Sequence, residues 1–416
     1  MRKNITRLLQ QKDIQRLLKN FLSMSVVQLL QLLTPVLIVP FLITKIGFST
    51  YGNITFIFSI IAYFFSVTDY SFKVSATRDI ATNLNNSVAI ADIIKNVITT
   101  KAIMFIFSMI IIGMIAIIYP PLREHGAILS CGIVLLAGYT LSTEWFYLGT
   151  ENTKHYAIIQ VVSKLIFIGG CVLLIQNQND YLFYPILLSS TTFFGNLVLL
   201  ILVVKKHMVS LLSINIKEIK LTLRKNFPLF LNQFVPNLYN NSGVVVIGLM
   251  TSSTQVGTYD LLKKPVDLIT TLISVLSKSI FPFMNRKNSS FEKYRRFMLG
   301  LSTILFIICL FGTIPFFEFL NIPFTTRYLV TYLFLIASIY GYVIYDCYGV
   351  NYLIIRNKDQ LVMKNTLIAS LIAFVFVIPM VYLWGCMGAA LNLLVARILM
   401  GVGLMIQKHK LNGSEN

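Results

Sequence analysis

The sequence predicts an all-α integral membrane protein of about twelve transmembrane helices, with both termini in the cytoplasm. Three observations predict it. Of 416 residues, 56% are hydrophobic and only 12% are charged, whereas a soluble domain is about a quarter charged, so lipid must cover part of the apolar surface. The apolar residues fall into runs of roughly 20, the length at which a helix crosses the hydrocarbon core. The basic residues gather between alternate runs, as cytoplasmic loops do.

The first six runs are Phe21–Ile43, Tyr51–Tyr70, Ala102–Tyr119, Ala127–Tyr147, Tyr156–Ile175 and Tyr181–Val204. The second six are Pro228–Thr251, Gln255–Met284, Phe297–Phe317, Tyr328–Leu353, Val362–Trp384 and Met387–Gln407, of which Gln255–Met284 is the least hydrophobic. The expected organisation is a basic amphipathic segment (1–20), an N-terminal lobe of six spans (21–204), a basic cytoplasmic linker (205–227), a C-terminal lobe of six spans (228–407) and a tail (408–416). Residues 1–20 alternate Ile5, Leu8, Leu9 and Ile14 with Arg2, Lys3, Arg7 and Lys12 and lack a cleavable signal pattern. They read as an interfacial helix. Ile216, Ile219, Lys217 and Lys220 give the linker the same character.

Charge placement fixes the orientation. Of 35 Lys and Arg, 27 fall in, or within three residues of, the segments that are cytoplasmic if the N-terminus is inside, and the outside loops hold only Lys45, Arg123 and Arg327. This asymmetry accounts for most of the net charge of +19 and argues against a nucleic-acid partner. The two halves also look duplicated: Gln31 stands four residues before Pro35, Asn232 four before Pro236, and Tyr51-Gly52 in the second span has a counterpart in Gly257-Thr258-Tyr259 in the eighth. Two similar bundles around a cavity are a common transporter plan. Proline inside a span is tolerated in membranes, yet it also loosens a helix, so Pro35 and Pro236 are candidate hinges.

Charges near mid-depth are costly and tend to face a partner or a water-filled cavity. Lys263 and Lys264 are flanked by Asp260 and Asp267 at helical spacing. They read either as a self-neutralising ladder or as a cationic surface for an anionic head group. Lys164 and Arg397 lie several residues from either end of their spans and are further candidates to line the cavity. Lys278 lies near a cytoplasmic end, where a lysine can snorkel. Asp69, Glu144 and Asp346 lie near cytoplasmic ends, where they could form gate salt bridges or carry a coupling proton. The five cysteines all sit in apolar stretches without a CxxC pair, the four histidines are scattered, and no metal site is expected. No Walker, HExxH or GxSxG motif occurs, so neither ATP binding nor catalysis is expected.

The stretch Thr68-Asp69-Tyr70-Ser71-Phe72-Lys73-Val74-Ser75-Ala76-Thr77-Arg78-Asp79-Ile80-Ala81 resembles the cytoplasmic loop after the second helix of the Wzx-type O-antigen flippases, in the multidrug/oligosaccharidyl-lipid/polysaccharide (MOP) exporter superfamily. Gly47 to Gly52, Glu144 to Gly149, Val256 to Tyr259 and Phe281-Pro282 fit the same pattern. The resemblance implies a MATE-like pair of six-helix lobes in a bacterial inner membrane. It implies a flippase that moves undecaprenyl-diphosphate-linked oligosaccharide to the periplasmic leaflet by alternating access, coupled to protons, with an O-antigen polymerase and a chain-length regulator as partners. Arg78 and Asp79 match the family loop, and Lys264 a basic position of its eighth helix. Ser71 and Lys73 replace the usual Gly and Asn; Lys263 stands where an acid is common and Asp267 where a base is. The alternatives are a multidrug antiporter of the same superfamily, whose cationic substrates would call for acidic cavity residues, and an O-antigen polymerase, which would call for a sizeable periplasmic loop.

Overall fold

The computed structural model describes the backbone of residues 2–208, 215–286 and 291–414, and side chains from residue 19 onward apart from 21, 209–214, 282–290 and 412–416. Among the described residues the chain is helical, with short π and 3-10 turns and no strand. Apolar side chains point outward along its length: Ile118 and Phe311 are each 80% exposed, Leu173 75%. Such surfaces are stable only against lipid. Among the described residues, nine helical stretches are long and apolar enough to cross a membrane. One of them is the 60-residue stretch Leu22–Ala81, which bends at Gly47. Counting its two arms separately, and adding two further helices of 35 and 34 residues that are long enough but more polar, gives twelve crossings.

The chain divides into two compact units, Met1–Ile38 with Ile60–Gln233, and Val39–Ser59 with Phe234–Asn416. The first unit opens with α1 (Arg2–Asp69). The expected first two spans are two arms of this one helix, and its single non-helical residue is Gly47, at φ 77° and ψ 164°. Only a residue without Cβ takes that conformation cheaply. Of residues 1–20, those from Arg2 on do not form a separate helix; their backbone is the first turns of α1, and the amphipathic pattern up to residue 18 lies outside the described side chains.

Tyr70 and Ser71 then take left-handed conformations (φ 43° and 59°) and turn the chain into α2 (Phe72–Ala81). The Asn86 side chain accepts a hydrogen bond from the Ala89 N–H and starts α3 (Ser87–Ile118), a normal N-cap. This helix begins well before the expected third span, and it carries Lys101 into the interior, where it is 2% exposed.

After α4 (Pro120–Glu124) and α5 (Gly126–Thr140), the expected Ala127–Tyr147 span proves discontinuous. Leu141 to Thr143 leave the helix, and α6 (Glu144–Gly149) restarts it. Short hydroxyl residues compete with the backbone for hydrogen bonds and weaken a helix locally. The Lys101 ammonium donates to the Ser142 carbonyl at 3.1 Å, satisfying an acceptor that the break frees.

Two long helices follow, α7 (Lys154–Leu174) and α8 (Phe183–His207). Asn196 on α8 donates to the Gly138 carbonyl and accepts from Gln160, each at 3.0 Å, binding α5, α7 and α8. The last helix to enter this unit is α9 (Ile216–Met250). Residues 216–227, expected as an interfacial helix, are the opening turns of α9. Asn226 donates to Ser75 at 3.0 Å, Ser71 donates to Gln233 at 2.7 Å, and Phe230 stacks on Tyr70 at 4.7 Å.

The second unit holds the rest of α9, α10 (Ser253–Arg286), α11 (Phe291–Phe311), α12 (Thr313–Phe319) and α13 (Thr326–Tyr345). The tenth span, expected as one regular helix to Leu353, changes at Asp346 into a π-helical stretch, Asp346–Leu353. Helices α14 (Asp359–Trp384) and α15 (Cys386–Ser414) complete the unit. Helices α13 and α15 meet where Gly341 lies against the backbone of Arg397 and Ile398; a Cβ at 341 would come within 2.7 Å of it.

Candidate functional site

In the second unit the bend of α1 crosses the start of α10 with almost no space between backbones. A Cβ on Gly52 would lie 1.8 Å from the Ser253 carbonyl oxygen, and one on Gly257 2.4 Å from that of Phe48. The Tyr-Gly pattern of one half therefore packs on the Gly-Thr-Tyr pattern of the other. This crossing sets Tyr51 beside Asp260: the phenol donates to Oδ2 at 2.5 Å, and Lys264 donates to Oδ1 at 2.9 Å. One helical turn further, Lys263 pairs with Asp267 at 3.2 Å. Both lysines predicted at mid-depth thus have a carboxylate at i±4, and the ladder geometry is what forms.

Arg397 differs. It is 4% exposed on α15. Its Nη1 donates to Ser338 Oγ at 2.9 Å, its guanidinium faces the Tyr342 ring at 5.6 Å, and its buried Nε has no hydrogen-bond partner. Among the described residues no carboxylate comes within salt-bridge distance of it. Lys164 on α7 in the first unit is likewise unpaired with any described carboxylate and lies 5.5 Å from the Phe167 ring centre. Arg397 is thus buried, and Lys164 half-buried, without a described counter-ion, and such charges are costly near mid-depth.

The first unit gathers the loop residues instead. Helix α2 packs on α6: Thr77 donates to the Trp145 carbonyl at 3.1 Å, and Lys73 pairs with Glu144 at 2.8 Å. Asp79 lies 3.7 Å from Arg78 and 3.8 Å from Lys225. Asp69 faces Lys101 at 3.6 Å, and its second oxygen is buried without a partner. Each expected gate carboxylate here has a basic neighbour within its own unit. The sequence reading missed Lys101, Tyr51 and Ser338. Lys101 had a visible signal, a lysine at the border of an apolar run; Tyr51 and Ser338 act on partners 209 and 59 residues away and had none. Pro35 and Pro236, the expected hinges, lie inside helices without a break in the backbone pattern.

Long apolar helices with outward lipid-facing surfaces, arranged in two units and carrying buried charges, define a multi-pass helical membrane protein. Its fold is shared with two transporter structures. One is a lipid II flippase, MurJ, in an inward closed conformation (TM-score 0.69, 16% identity, covering 94% of this chain and 87% of that one). The other is an inward-facing multidrug resistance MATE family transporter of the MOP superfamily (TM-score 0.62, 12% identity, 92% and 98% covered). The chain belongs to the polysaccharide biosynthesis protein family, whose profile matches residues 17–288. It is similar to two proteins provisionally named O-antigen transporters. The one from Escherichia coli K12 is 21% identical over 92% of this chain and 94% of its own length. The one from Shigella dysenteriae is 19% identical over 92% and 97%.

Proposed function

We propose that this protein is a flippase that moves an undecaprenyl-diphosphate-linked oligosaccharide from the cytoplasmic to the periplasmic leaflet of a bacterial inner membrane by alternating access. The observation that carries the reading is Arg397, a guanidinium buried in the last long helix, with no described carboxylate near it and a free Nε–H. A diphosphate offers such a group several acceptor oxygens and the charge it lacks. Lys164 is the second cation assigned to the substrate. Lys263 and Lys264 are assigned to their ion pairs with Asp267 and Asp260, which hold α10 in register, rather than to the head group. The family membership and the names of the relatives support the oligosaccharide class. Cytoplasmic termini, proton coupling and association with a polymerase and a chain-length regulator belong to the same reading.

In a strain lacking the protein, surface polysaccharide should be lost and lipid-linked units should accumulate on the cytoplasmic leaflet. Wild type should restore export, whereas Arg397→Ala should reach the membrane at wild-type level and fail to restore it. Unchanged polysaccharide and lipid-linked pools in the deletion strain sink the flippase reading and turn the question to drug efflux.

A further inference from the structure

At the end of the first unit that the basic residues assign to the cytoplasm, α3 and α9 enclose a cavity of about 510 Å³ that contains none of the gate or ladder residues. Its polar walls are Asp92, Asn96 and Thr99 on α3, and Asn215, Glu218 and Thr222 at the start of α9. These residues recur every three or four positions, so each helix turns one polar stripe toward the space. The aliphatic side chains of Ile93 and Ile219 complete the lining. The walls are held by their own hydrogen bonds. Asn96 donates to Thr222 Oγ1 at 2.9 Å and joins the two helices. Asn215 accepts from the Lys217 N–H at 3.2 Å, capping α9, and donates to Glu218 Oε1 at 2.7 Å. Asp92 and Glu218 are exposed, and among the described residues neither has a basic side chain within salt-bridge distance.

The chemistry of that lining is specific. Carboxylate and amide oxygens accept from hydroxyl groups, amide and threonine groups donate to them, and aliphatic side chains cover the C–H faces of a sugar ring. The volume falls in the range of about 300–1,000 Å³ of small-molecule sites. Two carboxylates stand against one lysine, Lys95, in the lining, so uncharged or amino-bearing sugars suit it better than uronic acids. Depth adds an independent observation. At about 1.5 Å per residue, Thr99 and Thr222 lie roughly 5 and 9 Å outside the apolar runs that begin at Ala102 and Pro228, and Asp92 and Asn215 roughly 15 and 20 Å outside. The headgroup layer is about 5–7 Å thick on each side of the hydrocarbon core, so most of the cavity lies beyond the phosphates. Lys225 follows Thr222 by three residues on the same face of α9, roughly 5 Å outside the apolar run. Its side chain is 60% exposed and 3.8 Å from Asp79, an exposed pair that exchanges partners readily.

Outward along α9, a cation at phosphate depth is therefore followed by hydroxyl-binding side chains. A lipid-linked oligosaccharide has the same order: lipid, diphosphate, sugars. We infer that the α3–α9 cavity is an entry subsite that binds the sugars of the substrate while its diphosphate lies at the depth of Lys225 and its lipid is still in the cytoplasmic leaflet. The inference rests on the flippase reading and adds to it a sugar-recognising site in the first unit, separate from Arg397 in the second.

The test measures the binding of two lipids to the purified full-length chain in nanodiscs. One is the lipid-linked oligosaccharide extracted from the deletion strain; the other is undecaprenyl diphosphate, which lacks the sugars. Wild type should bind the glycosylated lipid more tightly. Asp92→Ala and Glu218→Ala should each weaken that lipid by about tenfold, the worth of one charge-assisted hydrogen bond, and leave undecaprenyl diphosphate unchanged. Asp92→Ala decides the matter should Glu218→Ala loosen the start of α9. Lys225→Ala should weaken both lipids alike. A wild type that binds the two lipids equally overturns the inference and leaves the flippase reading standing. So does an Asp92→Ala protein that binds both as wild type does, the result for a merely solvated cavity, or one that loses both in equal measure. A deletion strain without accumulated lipid-linked units, or a wild type that binds neither lipid, overturns the flippase reading and the inference with it.

Discussion

Single residues in this molecule divide by whether a buried charge has a partner. Asp260 is held by both Tyr51 and Lys264, so removing the lysine leaves a buried carboxylate on the Tyr51 phenol without its ion-pair partner. Breaking such a pair from one side costs about 3–5 kcal/mol, while replacing both partners costs much less. Lys264→Ala should therefore lower the thermal midpoint of the purified protein, and the double change Lys264→Met with Asp260→Asn should recover most of the loss. Equal losses in the single and double variants would show that the pair is not coupled. Ser71 makes the opposite case. Its φ of 59° strains a residue with a Cβ by about 1–2 kcal/mol, and this is where related chains carry glycine according to the resemblance. Its hydroxyl, however, donates to Gln233 at 2.7 Å, a bond contributing about 1 kcal/mol. Ser71→Gly should thus shift stability by less than about 1 kcal/mol, measured by the same melts.

At the scale of elements, the informative features are interruptions. The bend at Gly47, the break at Leu141–Thr143 and the π-helical end of the tenth span each free backbone groups or redirect side chains, and each has a charged or polar residue beside it. The crossing of α1 and α10 is a tightly constrained contact. A Cβ at Gly257 would meet main-chain atoms of Phe48, which cannot rotate away. Overpacking of a tight site costs about 1–3 kcal/mol, and Gly257→Ala should fall at or above the upper end of that range in thermal melts. Gly113→Ala, inside α3 with open space around the new methyl, should cost nothing and raise stability by up to about 1 kcal/mol. A comparable loss at both positions would mean that the crossing is looser than its geometry indicates.

For the whole molecule, the arrangement of basic residues makes a claim about orientation. In a cysteine-less background, Lys358→Cys should react with an impermeant maleimide only from the cytoplasmic side, and Glu124→Cys only from the outside. The reverse pattern would invert the topology and with it the proposed direction of transport. The two units interchange segments along the chain: residues 39–59 pack with the second and residues 216–233 with the first. This exchange places Tyr51 and Asn53 in the same unit as Asp260 and Ser253.

The sequence by itself determined the helical membrane character, the approximate position of most crossings, the family resemblance and the local partners of Lys263 and Lys264. Those properties depend on hydropathy summed over about 20 residues or on neighbours one helical turn apart. It did not determine where helices break, because Ser142 and Thr143, or a single Asp346, weaken a helix only locally and are tolerated in many unbroken spans; whether the backbone leaves the helix depends on the packing around them. Nor did it determine which buried charges stand alone. Whether Arg397 meets a carboxylate depends on helices that are distant in sequence and adjacent only after packing, so that distinction belongs to the tertiary structure.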